Sequence, residues 1–466
     1  MDLFQVRGAV KVRRLITVMV PILVSQAAIM GMSFFDASMS GHAGNNDLAG
    51  ASVAGNTISP LLLGLSGILT AATPLIANAL GAKEPEKVRL YLKQGILLAI
   101  VLGLLVIVPA YWWVPALFSE MNLEAEVYRI GIGYWIGAAV GFIPFYLTVP
   151  LRALIDTSKR TDISMKLYLS GLPINGLLNY VLIFGKCGLP ALGGIGAGVA
   201  TGITNIIIFL MFIFVVYKRE EYRQYFDRDF SAVDISGILA YLRMGIPIGL
   251  SIFAEVAIFC IMGLFMAKFG TDVIAAHQAA MNFSCLIYMI PMSFSMALTI
   301  VIGIEYGARR YNSAGLYDKV GLQLSVIFAF IYIVLEYIFS MEIAGIYSND
   351  IAIKTMFVEF LFWAMVWQCG DTIAAPIQGI LRGYKDVDSA LWGCIIAYWI
   401  VCLPLGLALD LFFEAGAVGY WQSLSIGVLC SAVFMLYRRR RFYLRLKQEK
   451  GKMMSYIKNI YMKKSH

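Results

Sequence analysis

Five polar side chains fall where a chain rarely keeps them. Asp36, Asn175, Asn179, Glu255 and Asp371 lie within or at the ends of long apolar runs. An ionisable group in hydrocarbon costs about 2.5–3.5 kcal/mol on insertion scales, so those retained there are candidates for function. Glu255 sits in SIFAEVAIF, beyond Arg243, and Asp371 sits in WQCGDTIAAP, ahead of Arg382. At about 1.5 Å of rise per residue, their depths are about 18 and 16 Å, near the midplane of a core about 30 Å thick. Two carboxylates at one depth repel each other and lose hydration. A proton or a sodium ion relieves both penalties.

Asp36 ends an apolar run in MSFFDASMSG. Counted from Arg14 it lies about 33 Å along a straight helix, so a hydrated residue at a loop edge is an alternative to a buried site. Asn175 and Asn179 share a helix face by their i,i+4 spacing, beside Pro173. They could ligate an ion, orient Asp36, or bond neighbouring helices. Glu305 stands near Arg309 and Arg310, as an interfacial acid would. Glu336, Glu359 and His277 lie toward span ends and carry weak signals.

The elements that must hold these groups follow from composition. Of 466 residues, 60% are hydrophobic and 14% charged. A typical soluble domain has roughly 25% charged residues, and this chain lacks the polar surface to cover a water-soluble globule. Mean hydropathy is +0.76. Twelve apolar stretches emerge, near 15–38, 47–78, 94–117, 127–150, 163–185, 191–217, 240–266, 274–304, 316–340, 353–380, 389–411 and 415–437. Each is long enough for a helix of about 20 residues to span a bilayer, and the alternation of barrel strands is missing. An all-α polytopic membrane protein is expected.

Twelve spans place both termini on one side. Lys and Arg then divide 33 to 4 in favour of that side, which predicts a cytoplasmic placement of both termini in an inner membrane. The run Arg438–Arg441 follows the last span directly, so it predicts an anionic-lipid anchor rather than a nucleic-acid site. Seven cysteines form no CxxC pair, and six lie in apolar runs. They predict small buried hydrophobes rather than disulfides or a zinc site.

The chain also repeats itself. A shift of 226 residues sets Pro21 on Pro247, Gly81 on Gly307, Gly95 on Gly321, Pro150 on Pro376 and Lys159 on Lys385. GGIGAG (193–198) faces AGAVG (415–419) after a slip of a few residues. The expected division is an N-lobe over 1–225, a linker over 226–239, a C-lobe over 240–437 and a basic tail over 438–466. Six spans per half is an even number, so the halves are parallel repeats about a central cavity. Pro21, Pro74, Pro144, Pro150, Pro247, Pro291 and Pro376 are potential hinges.

No Walker A loop, HExxH or GxSxG motif is present, so no enzyme and no cofactor are expected. Without an ATPase domain, transport would draw on an ion gradient. Acids in a cavity of aromatic and Met side chains suit flat organic cations. An alternative is a flippase for lipid-linked precursors. That reading would want a mid-depth Arg or Lys for pyrophosphate, yet Arg152 and Arg129 fall near the two edges.

FFDASMSGHAG, PINGLLNYVLIFGK with GGIGAGVATGI after it, AAHQAAMNFSCLIYMIPMSFSMA and LRGYKD (381–386) together resemble the multidrug and toxic compound extrusion (MATE) family, bacterial NorM-type branch. The resemblance covers nearly the whole chain. It implies twelve helices in two lobes and export of cationic aromatic compounds in exchange for sodium or protons. Membrane lipid is the expected surrounding partner, and a monomer is the expected working unit. It implies functional positions at Asp36, Asn175 and Asn179 in one lobe and at Glu255 and Asp371 in the other, the last two able to ligate sodium. Where the family pattern places a phenol one turn before the span-ten aspartate, this chain has Trp367, which offers a cation–π face and no oxygen.

Overall fold

The computed structural model describes residues 3–121, 123–226 and 234–463, and no strand occurs among them. The first half contains α1 (Leu3–Ala43), α2 (Asn45–Leu69), α3 (Ala72–Ala82), α4 (Pro85–Glu120), α5 (Ala125–Ala139), α6 (Phe142–Thr157), α7 (Thr161–Phe184) and α8 (Gly194–Lys218). A short turn of helix, α9 (Glu220–Arg223), follows. The second half contains α10 (Ile235–Met266), α11 (Thr271–Gly307), α12 (Tyr311–Ile338), α13 (Ser340–Tyr347) and α14 (Ile351–Gly383). It ends with α15 (Asp388–Cys394), a π-helical segment (Ile395–Cys402), α16 (Leu403–Phe413) and α17 (Gly416–Lys463). Among the described residues, eleven helices are long and apolar enough to cross a membrane. The pair α5 and α6, bent by 42°, makes a twelfth span.

Two of the expected hinges coincide with breaks. The α2–α3 break at Thr70 and the α5–α6 break at Val140 each fall four residues ahead of a proline, Pro74 and Pro144. Proline has no N–H to return to the carbonyl four residues back, so the helix opens there. Pro21, Pro150, Pro247, Pro291 and Pro376 instead lie inside continuous helices. The π-helical segment precedes Pro404, a wide turn of the kind that bends a helix without ending it.

The 226-residue repeat is visible in the backbone itself. Lys83 (φ 59°) and Arg309 (φ 57°) occupy the left-handed region at matching helix ends, and so do Lys159 (φ 66°) and Lys385 (φ 67°). Each ends a helix by turning the chain back, a place where glycine is usual.

The halves pack as two lobes. In the first, α1 packs on α7, α5 on α8 and α7 on α8; in the second, α11 packs on α14 and α14 on α17. The lobes meet through α2 with α10, α3 with α11 and α1 with α11. At the end carrying the basic loops the backbones touch. A Cβ on Gly81 would stand 2.0 Å from the Ile304 carbonyl oxygen, and one on Gly307 would stand 2.0 Å from that of Asn78. The Asn78 amide also donates to the Gly383 carbonyl at 3.2 Å. The first helix bridges both lobes, since Leu15, Met19 and Ile22 are buried with Phe294, Leu298 and Ile377.

Two expectations need correction. Of the seven cysteines, all free, only Cys394 and Cys402 are buried, and Cys187, Cys285 and Cys369 are exposed on the protein surface. Apolar runs in a membrane bundle face lipid as well as protein, so hydropathy alone could not separate the two. The basic run after the last span is also more than a lipid anchor. Arg439 pairs with Asp318 at 2.7 Å, and Arg438 donates to Ser389 at 2.8 Å and reaches Asp386 at 3.4 Å.

Candidate functional site

The N-lobe site is assembled from three helices. Asp36 comes from α1, Asn175 and Asn179 from α7, and Thr201 from α8. One carboxylate oxygen of Asp36 accepts from the Asn179 amide at 2.6 Å and the Asn175 amide at 3.2 Å. The other accepts from the Thr201 hydroxyl at 2.6 Å. Asn179 also donates to the Asn175 side-chain oxygen at 3.1 Å, and Asn175 lies 3.5 Å from the Thr204 hydroxyl. The i,i+4 spacing in α7 aims both amides at one point.

The arrangement bears on where Asp36 lies. Asp36 is half-buried inside the lobe, because α1 continues to Ala43 rather than ending at the aspartate. The asparagines beside it are 1% and 0% exposed. The carboxylate is held by neutral donors, and it forms no ion pair with Lys or Arg among the described residues. The Asn179 side-chain oxygen is buried without a partner, so the cluster keeps an unused acceptor beside the carboxylate. Thr201 was missed; its signal was a second threonine, Thr204, three residues on within an otherwise apolar span.

The C-lobe site lies between α10 and α14. Asp371 is 7% exposed, and Glu255 is half-buried and near enough for the two charges to act on each other. The Tyr288 hydroxyl of α11 lies against Glu255. Ser284, Tyr288, Pro291, Tyr332, Gln368 and Asp371 line a narrow crevice. The Tyr332 hydroxyl bonds the Thr372 hydroxyl at 2.8 Å, which ties α12 to α14 beside the aspartate. Trp367 directs its indole N–H toward Asp371 without closing a hydrogen bond. Its ring packs on Phe259 at 5.2 Å and 33°, which covers one of the two faces a cation could use.

Two arginines turn into the protein from near the ends of their helices. Arg152 lies inside the N-lobe over the Tyr168 ring, paired with Asp156 at 3.2 Å and bonded to Gln26 at 3.3 Å. Arg382 donates to Gln378 and lies near enough to Glu255 for its charge to act there. Long side chains reach well beyond their own backbone depth, a displacement that counting residues ignores. His277 packs edge-on against Trp421 at 5.4 Å. Among the described residues no cluster of three or more His, Cys, Asp or Glu is placed to hold a metal ion.

The acidic sites do not follow the repeat. The 226-residue shift sets Asp36 on Met262, Glu255 on Ile29 and Asp371 on Phe145. The scaffold is duplicated and the polar chemistry is not.

Two lobes of membrane-length helices, joined at one end and each holding buried polar groups, define a polytopic membrane protein of the MATE fold. Residues 21–181 and 247–407 each match the MatE family model, and the chain belongs to that family, in its NorM-type branch. It is 42% identical over 429 residues to the probable multidrug resistance protein NorM of Bacillus anthracis, which covers 92% of this chain and 95% of that one. It is 37% identical over 440 residues to the protein of that name from Bacillus subtilis, covering 94% and 97%. Among solved structures it resembles an outward-facing multidrug resistance MATE family transporter (TM-score 0.85, 16% identity, covering 94% of this chain and 97% of that one). It also resembles a MOP superfamily transporter from Pyrococcus furiosus (TM-score 0.84, 16% identity, covering 92% and 96%).

Proposed function

We propose that this protein is a secondary active multidrug exporter. It exchanges cationic, amphipathic aromatic compounds for sodium ions or protons across a cytoplasmic membrane, with both termini inside. The relatives' names point to multidrug resistance. The observation that carries the coupling is the C-lobe carboxylate pair. Glu255 and Asp371 interact inside the bundle, and neither forms an ion pair among the described residues. A cation arriving at that pair removes a like-charge repulsion in a poorly solvating site. The energy available is about 2.3 kcal/mol per charge per 100 mV of membrane potential.

The packing supports the following cycle. The lobes are joined at the end that bears the basic loops, assigned here as cytoplasmic, through Gly81 with Ile304 and Asn78 with Gly307. Drug leaves on the opposite side, and a cation binds at Glu255 and Asp371. Separation of the basic ends then loads drug from the cytoplasm or inner leaflet. Asp36, with Asn175 and Asn179, is a second coupling site in the N-lobe. Trp367 contributes an aromatic face. The working unit is a monomer in lipid, and no cofactor is required.

The test is ethidium transport in inside-out vesicles, with sodium and pH gradients imposed separately. Asp371→Asn is expected to abolish gradient-driven transport while the protein still inserts in the membrane. Normal transport by that variant would remove the assignment. For the flippase alternative, the readout is capture of a pyrophosphate-linked lipid. Arg152, the nearest candidate for that pyrophosphate, is already paired with Asp156.

A further inference from the structure

Outward of the Asp371 crevice the C-lobe holds a second polar pair, which the coupling scheme above does not use. Glu336 lies two residues before the end of α12 and is 2% exposed. It faces the side-chain amide of Gln368 on α14, itself 4% exposed. Neither carboxyl oxygen of Glu336, and neither polar atom of the Gln368 amide, has a hydrogen-bond partner. Four buried polar atoms thus stand together unsatisfied. Each buried polar group left this way destabilises the fold, and a charged one more so.

The surroundings limit what the pair can bind. Among the described residues no lysine or arginine acts on Glu336, and the amide that faces it is Gln368. On its own helix the nearest ionisable group is Tyr332, one turn earlier, whose hydroxyl is engaged by Thr372. From α14, Cys369 is the other ionisable neighbour, and Asp371 lies further along the crevice. From α11, the crevice presents Ser284, Tyr288 and Pro291 at the Gln368 side. An unpaired carboxylate in such a place is very costly. A carboxylic acid is not, because an acid and a primary amide form two complementary hydrogen bonds. The O–H of Glu336 donates to the Gln368 oxygen, and the Gln368 N–H donates to the acid carbonyl. A small rotation of either side chain would let the acid and the amide make both bonds, with one amide N–H left over.

We infer that Glu336 is a proton-binding site of the C-lobe, with Gln368 as its amide partner, placed between the outer surface and Asp371. Gln368 is adjacent to Trp367 and lines the same crevice as Asp371, so it feels the occupancy of both acids. Loss of the Glu336 proton leaves only the amide N–H as a useful partner and turns the Gln368 side chain. The inference deepens the cation-coupling reading of this lobe and rests on it for its role in transport, though the protonation itself can be read without transport.

The experiment is infrared difference spectroscopy of the purified full-length protein in lipid, titrated with acid and base. The signal is the C=O stretch of a protonated carboxylic acid. Wild type is expected to show one such band that Glu336→Gln removes and Asp371→Asn leaves in place. Gln368→Leu is expected to keep the band and move its frequency, since the acid loses its amide partner. A spectrum unchanged in Glu336→Gln overturns the proton site, and a frequency unchanged in Gln368→Leu overturns the pairing. Failure of the transport reading would appear separately, as normal efflux by Asp371→Asn with the Glu336 band intact.

Discussion

The Asn179 side chain donates to the Asp36 carboxylate at 2.6 Å, across 143 positions of sequence. With Asn175 and Thr201 it holds a half-buried acid by neutral donors alone. Such a shell supports a negative charge without neutralising it, and so leaves the charge free to attract a cation.

Removing that support should therefore be costly. Asn179→Ala deletes a hydrogen bond to a charged group, roughly 1.5–3 kcal/mol. The expected result is a cation dependence of efflux shifted roughly ten- to hundred-fold toward lower concentration, because a carboxylate that has lost a donor holds a cation more tightly. Thr201→Val should shift it in the same direction. A dose–response curve of ethidium efflux against sodium or pH measures it, and a wild-type curve for both variants would show that the cluster is only structural.

The contact between the lobes is testable at Gly307. A methyl group there would stand 2.0 Å from the Asn78 carbonyl oxygen, which is backbone and cannot swing aside. Gly307→Ala should hold the basic ends apart and stop transport while sparing insertion. Spin-label distances between α3 and α11 are expected to lengthen; an unchanged distance distribution would contradict the account.

Asp318 is fully buried, and its partner Arg439 lies in the helix that runs on from the last span. Breaking a buried ion pair by removing one member leaves an uncompensated charge. Asp318→Ala should destabilise the C-lobe by about 3 kcal/mol, the low end for such pairs because Arg439 is partly exposed. Asp318→Ala with Arg439→Leu should recover part of that loss. Thermal melts in detergent, followed by size exclusion, report both.

Arg309 occupies a left-handed backbone position at φ 57°. A non-glycine residue there costs about 1 kcal/mol. Arg309→Gly is expected to raise the melting temperature slightly and to lose one charge from the basic face. Insertion reporters on either side of α11 should then show weaker control of orientation. No gain in melting temperature would place the strain elsewhere.

How far the sequence alone carried is clearest in single residues. The α7 spacing put Asn175 and Asn179 on one face, because helix periodicity is local. The apolar runs marked every span, because the cost of exposing backbone or charge to lipid is paid within each segment. The repeat was legible through Gly81 and Gly307 and through Lys159 and Lys385, where backbone geometry limits the choice of residue. Tertiary structure decided the rest. It placed Thr201 beside Asp36 and turned Arg382 toward Glu255. It also set Glu336 against Gln368, bonded neither, and drew the first helix into the core of the opposite lobe. Those outcomes depend on which helix packs against which and on how far a side chain reaches sideways, and neither quantity is written in the order of residues along one helix.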